Sequence, residues 1–87
     1  MKSKAHKAAI ADIIRQKKSL MENLKGVVHD IPLEDDVRYT INYVDRVIKE
    51  YGLEEGILAD TIEEIYDALM KCKEYSMAAT LARNYGL

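Results

Sequence analysis

One proline and four glycines punctuate the 87 residues. That is too few breakers for the turns that many short strands need, so the chain is left with a few long helices. Val37, Ile41, Val44, Ile48 and Tyr51 form the cleanest run. They recur every three or four positions, the spacing that gathers side chains on one face of an α-helix.

The same periodicity predicts a first helix over residues 3–25. Ile10, Ile13, Lys17, Leu20 and Leu24 line its apolar face, and Ile14 and Met21 widen it. Gly26 stands where a left-handed cap residue belongs. Residues 26–33 are the one clear linker, because Pro32 biases Ile31 away from helix. Glu34, Asp35 and Asp36 then put three negative charges in the first turn of a second helix, over residues 33–51, where the macrodipole favours them. Gly52 ends it, and Leu53 is placed to fold back onto Ile48. A third helix is expected over residues 54–73, with Leu58, Ile62, Ile65, Leu69 and Cys72 on one face. Asp60 and Glu63 have capping-box spacing, which would begin its regular part near residue 61. A short fourth helix follows a turn at residues 73–75. Ser76 is its candidate cap, and Tyr75, Ala78, Ala82 and Tyr85 are its expected inner face.

The expected fold is therefore all-α: a small antiparallel helical bundle of three long helices and one short C-terminal helix. It forms a single domain over residues 1–87, a length that leaves no room for a second. Short connections make sequence neighbours pack as hairpins. A chain of this size buries only about 60–65% of its unfolded surface, so the core is thin and a deep, enclosed active site has little space. All six aromatic residues are Tyr. Each hydroxyl needs water or a partner, which sends the rings to helix edges.

Tyr51-Gly52-Leu53 recurs 34 residues later as Tyr85-Gly86-Leu87. Thirty-four is the period of tetratricopeptide repeats. Tyr66, however, stands where that pattern takes a small residue, and Ala82 where it takes a bulky one. The triplet is read instead as one helix stop signal used twice.

Charge is divided unevenly. Residues 1–30 carry seven Lys or Arg against three acids, and residues 31–87 carry six against twelve. At about 100° per residue, Lys4, Lys7, Arg15, Lys18 and Lys25 fall within about 80° of one another on the first helix, well away from its apolar stripe. Lys17 lies inside that stripe. Its stem either packs with the ammonium reaching water, or its charge sets register against a second helix. Asp60, Glu63, Glu64 and Asp67 share the face of the third helix opposite its apolar side. From there they are not expected to reach the first helix of their own chain, although they would reach that of a second copy. These ten residues are the candidate interaction surface. A basic stripe suits a solvated face, a protein partner or a phosphate backbone. Nucleic acid ranks behind protein because the whole chain is acidic, no aromatic residue shares the stripe, and only one of the first helix's basic residues is Arg.

No reaction centre is legible. His29-Asp30 has only His6 as a further histidine, short of the three converging ligands a metal needs. No nucleophile accompanies either histidine in a supporting motif. The lone Cys72 excludes an internal disulfide and is expected to be buried and inert. No catalytic residue, metal or cofactor is expected. No run of about 20 apolar residues is available to span a membrane. Asp12 and Arg15 interrupt what would be the apolar part of a signal peptide. The expectation is a cytoplasmic, non-enzymatic interaction or regulatory module, self-associating through its first helix or holding a protein partner. Nucleic-acid binding through the basic stripe is the alternative.

Overall fold

The computed structural model describes residues 4–27 and 30–87. Ser3, at the expected start of the first helix, and His29 lie outside the described residues. Four helices and no strand occur among the described residues: α1 (Lys4–Leu24), α2 (Leu33–Tyr51), α3 (Gly56–Lys71) and α4 (Tyr75–Tyr85). The protein is a small all-α bundle. No described helix is long and apolar enough to cross a membrane.

All four helices end in the same way. Gly26, Gly52 and Gly86 take φ values of 85, 65 and 70°, and Lys73 takes 63°. The left-handed residue turns the chain so that the next N–H reaches a carbonyl five residues back. Val27 donates to Glu22 at 3.1 Å, Leu53 to Ile48 at 2.9 Å, Glu74 to Leu69 at 2.8 Å and Leu87 to Ala82 at 3.0 Å. The repeated Tyr-Gly-Leu triplets thus occupy equivalent cap geometries. Leu53 is half-buried against the cluster containing Ile48, the fold-back its position predicts.

The core has two parts. Ala9, Ile13, Val44, Val47 and Ile48 form one, at the end of the bundle where α1 begins and α2 finishes. Leu20, Val37, Ile41, Ile62, Ile65, Leu69, Ala78 and Leu81 form the other. Leu58 packs against both. α1 runs antiparallel to α2, and hydrogen bonds from three α1 side chains set their register. His6 Nε2 donates to the Tyr51 carbonyl at 2.6 Å. Gln16 Nε2 donates to Thr40 Oγ1 at 3.0 Å. Asn23 Nδ2 donates to Asp36 Oδ2 at 2.9 Å and to the Ile31 carbonyl at 3.1 Å. α3 reverses again and so runs beside α1 in the same direction, while α4 packs back against α3.

Four local expectations are corrected. Ile14 does not widen the buried stripe of α1, since it is 56% exposed. Gln16 and Asn23 bond to α2 and so turn Ala9, Ile13 and Leu20 inward, which rotates Ile14 out. α3 begins at Gly56, not near residue 61. Ile57 and Leu58 pack on the end of α2 and hold the first turn without a capping side chain, leaving Asp60 and Glu63 exposed within the helix. Cys72 is exposed, because it follows the last residue of α3 and the chain reverses at Lys73. In α4 the inner face is Ala78 and Leu81, while Tyr75 and Tyr85 are exposed and Glu74, not Ser76, precedes the first turn. None of the six tyrosines is buried, which agrees with their expected place at helix edges.

Candidate interaction surface

Lys4, Lys7, Arg15, Lys18 and Lys25 are all exposed on α1. Arg15 is held by Asp12 at 2.8 Å, three residues back on the same helix. Among the described residues, Lys4, Lys7, Lys18 and Lys25 enter no ion pair. Their ammonium groups face solvent, and Glu22, four residues after Lys18 on the same helix, makes no ion pair with them. Asp60, Glu63, Glu64 and Asp67 are exposed on α3.

Lys17 joins the two groups. Its Nζ lies 3.0 Å from Glu64 Oε2, with the lysine side chain 22% exposed and the glutamate 52%. This corrects the expectation that the acidic face stays out of reach of its own α1. Parallel packing brings the α1 edge of α3 close enough for two long side chains to meet, while their stems cover the apolar seam beneath. Such a pair stabilises the fold by about 0.2–1 kcal/mol. Its larger consequence is positional, because it sets the lysines of α1 beside the carboxylates of α3.

The helical geometry orders what lies between them. Ile14 is about 60° around α1 from Lys17, and Lys18 about 40° further on. Passing across this side of the bundle, one meets the exposed lysines of α1, then Ile14 with the half-buried Ile10 and Met21 near it, then the Lys17–Glu64 pair, then Asp60 and Asp67. Ile14 was missed as a surface residue because its spacing fits the apolar stripe as well as the boundary of that stripe.

Two further features were not read from the sequence. On α2 the exposed Tyr39 and the half-buried Tyr43, which packs against the cluster of Ala9, Ile13 and Val44, have ring centroids 6.1 Å apart, and the Arg46 guanidinium carbon stands 5.4 Å from the Tyr43 ring centroid. Their spacings of four and three residues are the signal that could have found them. A groove of about 450 Å³ runs between the first half of α2 and α4, floored by Val37, Met77 and Leu81 and edged by Arg38 and Tyr85. It is partly open to solvent. Among the described residues, no three His, Cys, Asp or Glu side chains converge as a metal site would require. Comparison with protein-family profiles, curated proteins and solved structures gives no match to this chain.

Proposed function

We propose that this protein is a non-enzymatic interaction module whose working surface is the side of the bundle made by α1 and α3. One observation carries the reading: unpaired lysines and carboxylates on adjacent helices flank an exposed isoleucine, with an intramolecular ion pair at the boundary. A purely solvated face gains nothing from Ile14, whereas an interface uses an apolar centre for affinity and a charged rim for orientation. The lysines make nucleic acid the second reading. Asp12 and Glu22 interleave with them on α1, and the carboxylates of α3 adjoin them, so a phosphate backbone would meet both signs of charge.

Cross-linking in native extract, comparing the full chain with a Lys7→Glu/Lys18→Glu variant, tests the proposal. The wild type is expected to form defined protein adducts that the variant loses while its circular dichroism stays unchanged. Identical adducts from both, or none from the wild type, would count against it. Salt-sensitive binding to generic RNA or DNA would favour the nucleic-acid reading instead.

A further inference from the structure

We infer that the partner for the α1–α3 side is a second copy of this chain. The two copies are related by a two-fold axis lying along the helices, so that α1 of each lies against α3 of the other. The inference rests on the interaction reading above and names its partner.

A two-fold interface brings one patch against itself, so the patch must be self-complementary. A surface of one sign repels its own copy. This surface has a positive edge on α1 and a negative edge on α3, running in the same direction. An axis lying across the helices would set α1 on α1 and lysine on lysine. An axis along them exchanges left for right and leaves each helix facing the other kind, basic against acidic. The charge pattern therefore selects one of the two arrangements, and it does so twice, once on each side of the axis.

The apolar residue falls where this geometry needs it. Ile14 lies on the α3-facing side of the lysine stripe, near the boundary through which the axis would pass. Two copies would bring two Ile14 side chains together there, out of water. The Lys17–Glu64 pair is satisfied within each chain and so forms a neutral strip under the contact. The Lys17–Glu64 pair sets residue 17 level with residue 64, so Lys18 stands about two residues from the level of Asp67 of the other copy, and Asp60 falls between the levels of Lys7 and Lys18. Lys71 lies on the acidic side of α3 near its C-terminal end, so the attraction is concentrated away from that end. The apolar centre is small, which predicts a reversible, salt-sensitive dimer and not an obligate one.

The test is sedimentation equilibrium of the full chain with two single charge reversals, Lys18→Glu and Asp67→Lys. Both positions are exposed, and circular dichroism checks that each variant folds. The wild type is expected to dimerise, more weakly at high salt. Each reversal alone sets like charges together at both symmetric contacts and should weaken the dimer roughly tenfold or more. An equimolar mixture of the two variants restores opposite charges at both contacts and should recover the wild-type mass as a heterodimer. Ile14→Asp should also weaken the dimer, without rescue by mixing. A wild type that stays monomeric at every concentration and salt overturns the second copy. If its cross-linked adducts remain sensitive to Lys7→Glu/Lys18→Glu, the interaction module itself survives. A wild-type dimer whose reversal variants dimerise equally well, or whose mixture fails to recover, overturns the arrangement.

Discussion

Asp36 is 2% exposed, yet it sits in the first turn of α2 and accepts a hydrogen bond from Asn23 of α1. The macrodipole favours a carboxylate there, and the Asn23 amide supplies the bond that burial would otherwise deny it. Replacing Asn23 with Ala removes that donor and leaves the carboxylate buried beside a cavity. The expected cost is about 1–3 kcal/mol, read as a lower urea midpoint at unchanged slope. Lys73 makes the opposite case. Its φ of 63° is one that a side chain resists and glycine accepts, and the other three left-handed cap residues are glycine. Lys73→Gly should therefore stabilise the protein by about 0.5–1 kcal/mol, relief of left-handed strain exceeding the added freedom of the unfolded chain. A loss of stability in the same titration would show that the Lys73 side chain does more than occupy the cap.

For the helices as elements, boundaries were more legible than facing. α2 spans the residues its stripe and flanking Pro32 and Gly52 predict, because start, stop and periodicity agree there. α1 has a sound boundary at Gly26, but its buried face is turned away from the densest run of apolar residues. Periodicity counts greasy side chains and overlooks a polar residue such as Gln16, which is half-buried and bonds the buried Thr40. α3 shows a related effect: burial of Ile57 and Leu58 holds a first turn that Gly56 and an apparent capping box argued against. α4 tests the corrected facing. Leu81→Ala removes a buried side chain and should cost about 2–4 kcal/mol, whereas Tyr75→Ala, at an exposed position, should shift stability by less than about 0.5 kcal/mol. Thermal or urea unfolding of the two variants reads the difference, and equal costs would mean that the aromatic side of α4 does pack inward.

The whole molecule measures 41 × 30 × 18 Å across its Cα atoms, flat enough that two helix layers account for its thickness. A body so thin holds little enclosed space, and its chemistry is displayed on its faces. The uneven division of charge along the sequence becomes, after folding, two adjacent edges of opposite sign. The sequence placed each charge on its helix, but it could not show that α1 and α3 lie side by side, because the turns at Gly52 and Lys73 set which helices are neighbours in the chain and not which meet across the bundle. Lys17 and Glu64 are 47 positions apart, and only the packed structure brings them within 3.0 Å.

The most direct test of self-association through the α1–α3 surface is a dilution series of amide and side-chain NMR spectra of the full chain at low salt. Concentration-dependent shifts are expected around Lys7, Ile14 and Lys18 of α1 and around Asp60 and Asp67 of α3, with the α2–α4 groove unmoved. Spectra that do not change with concentration, or shifts centred on Val37, Leu81 and Tyr85, would contradict the account.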